Sequence, residues 1–240
     1  MNGPKVIFTI PLFGGIKVTE SIVNMWIIMA VLVIASIWLT RGLKVRNPSK
    51  KQLALEKIVT MLYGLVRDNM GAGYMSFTPY IGTLFALSIV GSLSSLTTLR
   101  PYTADLSVIL SWSVVTFLLI QTNNIKKHGV LGWLKSFAQP VAFITPLNII
   151  SEIANPVSMT FRHFGNIAAG LVITFLVYGG LASLSAAALA WIPNSFLASV
   201  PILQVGIPAL LSVYFDLFTG FLQAYIICML TMVFIKSSGE

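Results

Sequence analysis

Charge is what this 240-residue chain has least of. Only 9% of its residues are charged and 56% are hydrophobic, with a mean hydropathy of +0.88; an ordinary soluble domain is roughly 25% charged. A chain this poor in charge cannot clothe a water-facing surface, which leaves a polytopic membrane protein whose core forms against lipid and neighbouring helices. Acid is scarcer than base: seven Asp and Glu against fifteen Lys and Arg, a formal net charge of +8. In a soluble protein that excess would suggest nucleic acid. In a membrane protein it reflects loop bias, and no nucleic-acid partner is expected. The single cysteine, Cys228, excludes an internal disulfide and is silent on compartment. His163 has no second histidine near it in sequence, so no metal site is expected. There is no Gly-rich phosphate loop and no nucleophile–base pair of the kind an intramembrane hydrolase needs, and no cofactor is expected.

What is present is a series of long apolar runs. The first fifteen residues, broken by Pro4, Pro11 and Gly14-Gly15, carry no evident signal-peptide cleavage pattern, so insertion is expected to begin with the first span, residues 22–40. A basic segment follows. Within residues 50–70, Leu53, Leu55, Ile58, Met61, Leu62 and Leu65 recur at helical spacing while Lys50, Lys51, Lys57, Arg67 and Asp68 are polar, which predicts an amphipathic helix at the membrane surface. Spans at 78–99 and 106–121 form a hairpin (78–121) joined by RPYTAD, and a second basic loop is expected over 123–135. Two long apolar tracts, about 140–191 and 199–235, complete the chain.

The fold class predicted is all-α: about five membrane-crossing helices and one amphipathic surface helix in a single integral membrane domain, with the last two helices (140–235) long. Residues 140–180 would make a helix of about 60 Å, twice the hydrocarbon thickness. Either the tract folds into two spans with Arg162 near a turn, or it is one strongly tilted helix with Arg162 at mid-depth. Hydropathy leaves both open. Loop charge sets orientation. Arg41, Lys44, Arg46, Lys50, Lys51, Lys57, Arg67, Lys126, Lys127, Lys135 and Lys236 fall on one side, against Lys5, Lys17 and Arg100 on the other. The N-terminus is thereby expected outside and the C-terminus in the cytoplasm.

Arg162 is the most informative residue. Arginine has no ready way to neutralise, and a charge at bilayer depth costs on the order of 3 kcal/mol on insertion scales. Asn148, Ser151, Asn155, Ser158, Arg162 and Asn166 are spaced three or four apart, one face of a helix, with Glu152 flanking them. Gly165, Ala168, Ala169 and Gly170 then permit close approach of another helix. The second tract repeats the arrangement with Ser212, Asp216, Thr219 and Gln223. Serines and asparagines in such stripes can serve simply as interhelical glue. Arg162, Glu152 and Asp216 fit that role poorly, because an ionisable residue within the membrane is a functional hypothesis by default. His163 points about 100° off the stripe and reads as a packing or interfacial residue rather than a metal ligand. Asp105 follows Thr103 at a helix start and reads first as an N-cap.

The segment NPVSMTFRHFGNIAAG resembles the signature of subunit a of F-type ATP synthases of bacterial type. PSKKQLALEKIVTMLYGLVRDNMG, PYIGTLFALSIV followed by RPYTADLSVIL, and FTGFLQAYIICMLTMVFI agree with it in the family's order, from residue 22 almost to the end. The resemblance implies long tilted helices lying against a rotating ring of c subunits, with b subunits and the rest of the synthase as further partners and protons or sodium ions as cargo. It implies no catalytic role, since ATP chemistry resides in other subunits. The family's essential arginine matches Arg162, its partner glutamine Gln223, its asparagine Asn166, and its PTAD aspartate Asp105. Three positions depart from the commoner pattern. Leu171 stands where a Glu or His is frequent, and Asp216 occupies the facing position, so Asp216 is expected to carry the half-channel carboxylate that Leu171 cannot. His163 replaces a usual Leu. Glu152, Ser212 and Thr219 are expected to line the aqueous routes. The alternative is a secondary transporter binding an anionic substrate at Arg162. It predicts an internal repeat, and the two polar stripes differ in content. A scaffold without an ion path would tolerate a neutral residue at Arg162.

Overall fold

The computed structural model describes residues 5–11, 15–94, 101–138, 141–189 and 213–239. The chain opens with a small antiparallel hairpin, β1 (Val6–Ile10) and β2 (Ile16–Thr19), in which Thr9 lies opposite Lys17. Six α-helices follow among the described residues: α1 (Glu20–Thr40), α2 (Lys50–Met70), α3 (Thr78–Leu93), α4 (Leu106–Phe137), α5 (Thr145–Leu189) and α6 (Gly220–Ser237). Among the described residues five helical stretches are long and apolar enough to cross a membrane; α2 is the amphipathic exception.

Local chemistry explains the boundaries. The Ser49 hydroxyl accepts the Gln52 N–H at 3.3 Å and starts α2, and Gly71, at φ 93°, ends it in a conformation that favours glycine. Pro79 occupies the first turn of α3, where its missing N–H is no loss. The Asp105 carboxylate accepts the Ser107 N–H at 3.1 Å and caps α4, as the sequence suggested.

Two expectations change. Residues 123–135, expected as a loop, are helical and continue α4 as far as Phe137; the break is confined to Gly129, at φ 70° and ψ 170°. Twelve residues of straight helix would set Gln121 and Trp133 about 18 Å apart. Instead Trp133 Nε1 donates to Gln121 Oε1 at 2.7 Å, so the chain folds back at Gly129. The N-terminal hairpin is the second change: VIFTI and IKVT pair as antiparallel strands in a segment for which the sequence predicts no element. Of the two readings for the 140–180 tract, the single helix is the one observed. α5 runs 45 residues without a turn at Arg162, about 67 Å by its rise.

The core lies where the C-terminal half of α2 meets α3, α4, α5 and α6. Val66, Met70, Tyr74, Ile81, Leu84, Ile120, Met159, Ile227, Met232 and Ile235 are buried together there. α1 stands at the edge with Ser21 and Asn24 its buried residues, and its apolar sides are open. The end of α6 is tied down by polar contacts. Asn123 Nδ2 donates to Ile235 O at 3.0 Å and to Ser238 Oγ at 3.1 Å, while Lys127 lies over the Tyr74 ring and donates to Gly239 O at 3.2 Å. These contacts fix the register of α6 against α4, and with it the height of Gln223.

Candidate functional site

On α5 the buried side near the arginine is formed by Met159, Thr160 and His163. Arg162 and Asn166, one turn apart, lie on the open side, and Arg162 pairs with no side chain among the described residues. The neighbouring helix contributes Gln223, which is 3% exposed. Asn166 Nδ2 donates to Gln223 Oε1 at 2.8 Å and joins α5 to α6 just past the arginine. Three of the expected residues therefore come together: a guanidinium without a side-chain partner among the described residues, and an amide pair one turn along. The direct hydrogen bond of Gln223 runs to Asn166 rather than to Arg162.

The N-terminal part of the polar stripe has a different setting. Asn148, Ser151, Glu152 and Asn155 line a cavity of about 350 Å³ between α4, α5 and the end of α6, faced by Ser113, Thr116, Asn124, Ser136, Ser237 and Ser238. Such a cavity is roomy and polar enough to hold several waters. It lies on the Glu152 side of Arg162, and Glu152 precedes Arg162 by ten residues, about 15 Å along the helix. Glu152 Oε1 accepts from Gln121 Nε2 at 2.6 Å, and Gln121 in turn accepts from Trp133. Indole N–H can only donate, so it turns the Gln121 oxygen toward itself and the NH₂ group toward the carboxylate. Gln121 and Trp133 had no part in the sequence reading. Their partnership depends on the fold-back at Gly129, which no spacing rule exposes.

The remaining expected residues are distributed more widely. Asp105 caps α4, and its second oxygen accepts from the Thr19 hydroxyl at 3.4 Å, which ties the N-terminal hairpin to the start of the span. Thr219 donates to Tyr214 O at 3.4 Å within the π-helical segment Val213–Thr219. Asp216 belongs to that same segment, with its side chain outside the described atoms, as is that of Leu171; Ser212 lies outside the described residues. His163 is fully buried and meets the Trp112 ring edge-on, with ring centroids 6.2 Å apart, so of the two expected roles, packing and interfacial, it takes packing. Trp112 also stacks edge-on against Tyr102, so the PYTAD turn is packed against the arginine-bearing part of α5. Among the described residues no three His, Cys, Asp or Glu side chains cluster as metal ligands.

The chain matches the family model described as ATP synthase A chain over residues 22–236. It is 32% identical to "ATP synthase subunit a" of Moorella thermoacetica, over 93% of this chain and 92% of that one. It is 28% identical to "ATP synthase subunit a, sodium ion specific" of Propionigenium modestum, over 99% of this chain and 86% of the relative. A subunit a of a Bradyrhizobium strain is 30% identical over 94% of this chain and 91% of its own length. With five helices among the described residues long and apolar enough to cross a membrane and a match over nearly its whole length, the chain belongs to the family of ATP synthase subunit a, a multi-pass membrane subunit of the Fo sector whose general role is ion translocation in ATP synthesis.

Proposed function

We propose that this chain carries protons, or sodium ions, to and from a ring of c subunits through two half-channels separated by Arg162. The observation that carries the reading is a charged side chain on the open face of a continuous apolar helix, unpaired among the described residues, with the Asn166–Gln223 pair one turn along. An unpaired cation at that position is available to a passing carboxylate.

The chemistry follows from charge. A c-subunit carboxylate must be neutral, by proton or bound cation, to face lipid. Opposite Arg162 its ionised form is favoured, because a nearby opposite charge lowers a carboxylate pKa. The ion leaves by one aqueous route, the ring steps past the arginine, and the next site refills from the other route. Arg162 also repels a cation trying to pass directly between the routes, so flux is tied to rotation. The membrane potential supplies about 2.3 kcal/mol per charge per 100 mV. The cavity lined by Ser151, Glu152 and Asn155 supports an inner route reaching the cytoplasmic end of α6. Asp216, Ser212 and Thr219 serve the outer route, with Asp105 toward its entrance and Gln223 and Asn166 setting the surroundings of Arg162. In this reading the two long helices are tilted in the inner cell membrane with the C-terminus cytoplasmic. The b subunits hold the chain in place, and ATP chemistry occurs elsewhere in the complex.

The test is ATP-driven acidification of inverted vesicles carrying a synthase that contains this chain, wild type against Arg162→Ala, with assembly checked by co-purification and sodium varied. Pumping lost with the complex intact is expected. Pumping retained would remove Arg162 from the ion path, and acidification that sodium suppresses in favour of sodium uptake would identify the cargo.

A further inference from the structure

The loop between α1 and α2 does more than carry positive charge. It turns through Gly42 (φ 79°) and Asn47 (φ 57°) and encloses a cleft of about 420 Å³ lined by Trp38, Arg41, Gly42, Ser49, Lys51 and Gln52. Basic loops that only set topology need no fixed shape, whereas this one is pinned. Gln52 is buried, and its side-chain amide accepts the Lys44 N–H and donates to the Lys44 carbonyl, both at 2.9 Å, much as a neighbouring strand would. The same Nε2 donates to Glu56 at 2.7 Å, which occupies the nearest acid of α2. Lys51 Nζ is held 4.5 Å from the centroid of the Trp38 ring, so a residue from each helix forms the wall of the cleft.

Electrostatically the cleft is predominantly basic, with Glu56 behind Gln52 as the nearest acid. Arg41 and Lys51 line it, Lys44, Arg46 and Lys50 belong to the same turn, and no acid lies between Arg41 and Lys51. The first turn of α2 contains no acidic residue to answer its N-terminal partial charge. The cleft also sits at a defined depth. Trp38 is in the last turn of α1, a helix whose exposed Ile34, Ile37 and Trp38 face outward, and tryptophan at the end of a span marks the bilayer interface. Below it on α1, beginning at Ile37 beside Trp38, an apolar groove of about 660 Å³ runs between α1, α2 and α3, lined by Met29, Val33, Ile37, Leu62 and Leu87 among others. A cationic cleft at the interface above an apolar groove is complementary to one ligand chemistry, a phosphate ester carrying acyl chains.

We infer that this cleft binds the phosphate headgroup of an anionic phospholipid, with Arg41 and Lys51 as the charged contacts and an acyl chain in the groove below. The guanidinium of Arg41 offers paired donors to two phosphate oxygens and Lys51 a point charge beside them. The site is remote in sequence from Arg162 and independent of the ion-path reading.

Native mass spectrometry of the purified complex containing this chain tests it, after equilibration with phosphatidylglycerol or phosphatidylcholine. The wild type is compared with Arg41→Gln/Lys51→Gln and with a charge-matched control, Lys57→Gln/Lys135→Gln, outside the cleft. The expected result is retention of phosphatidylglycerol over phosphatidylcholine in the wild type and the control, and a loss of about tenfold or more in the cleft variant, given that each basic residue near an anionic membrane contributes a several-fold preference. Equal loss in cleft variant and control would reduce the effect to bulk charge and overturn the proposal, as would unchanged retention. Displacement of the lipid by millimolar inorganic phosphate would overturn the lipid assignment in favour of a free anion. Lys51→Gln alone, which alters an exposed side chain, supplies the same comparison should the double variant fail to assemble.

Discussion

The side-chain amide of Asn166 donates to Gln223 Oε1 at 2.8 Å, a polar tie between the arginine-bearing helix and the last helix. Gln223 is buried, so its oxygen has little access to any other donor. Replacing Asn166 with Leu strands that oxygen, which costs about 1–3 kcal/mol. Replacing both residues removes donor and acceptor together. Asn166→Leu is therefore expected to lower the thermal stability of the complex and its pumping rate, and the Asn166→Leu/Gln223→Leu double variant to lose less stability than the two singles combined, with a coupling of about 0.5–3 kcal/mol. Additive losses would mean that the bond has no energetic weight.

His163 presents a different imbalance. It is fully buried beside Trp112, and neither ring nitrogen has a hydrogen-bond partner among the described residues. A buried donor and acceptor left unmade each carry a desolvation penalty, so the native packing includes a cost of about 1–3 kcal/mol. Leu has nearly the right volume and no polar atoms. His163→Leu is expected to raise the melting temperature of the assembled complex while leaving Arg162-dependent pumping in place. A lower melting temperature would show that the imidazole has a partner in the assembly.

Gly220 opens α6 at its contact with α3. A Cβ there would come within 2.7 Å of the Ser92 Cβ, closer than packed side chains approach. Gly220→Ala should push α6 outward at the turn before Gln223, at about 1–3 kcal/mol for overpacking, and slow pumping through displacement of the Asn166–Gln223 pair. Ser92→Gly in the same chain clears the space and is expected to restore much of the loss. Absence of rescue would place the defect elsewhere.

The helical architecture was legible because hydrophobic length and polar spacing are local properties. Residues 22–40 anticipate α1 within two residues, and the three- and four-residue spacing around Arg162 anticipates one continuous face. Asp105 was legible as a cap for the same reason, since its partner is the N–H two residues on. What escaped depended on reversals of the chain. Gly129 looks like any glycine in a basic loop, yet its positive φ lets Trp133 return to Gln121 and so reach Glu152. The hairpin escaped because two short apolar runs around Pro11 and Gly15 carry too weak an alternation to be told from an irregular leader. Gln52 escaped because a glutamine in an amphipathic helix reads as surface, whereas here it copies backbone pairing to hold a loop.

The Trp133–Gln121–Glu152 chain offers the most specific test of the inner polar cavity. Trp133 also packs edge-on against Phe137, with ring centroids 5.2 Å apart, so Trp133→Phe keeps an aromatic ring there and removes only the N–H. Without that donor the Gln121 amide has no reason to keep its NH₂ toward Glu152, and half of its orientations would set oxygen against carboxylate. The lost charge-assisted hydrogen bond is worth about 1.5–3 kcal/mol at most. Partial loss through a freely turning amide should slow ATP-driven pumping several-fold with assembly intact. Gln121→Leu should slow it further, because no donor remains in any orientation. If Trp133 acts only by orienting Gln121, then adding Trp133→Phe to Gln121→Leu changes nothing. An equal further loss in that background would show that the indole acts on the cavity by another route, and Glu152 would then owe its position to α5 alone.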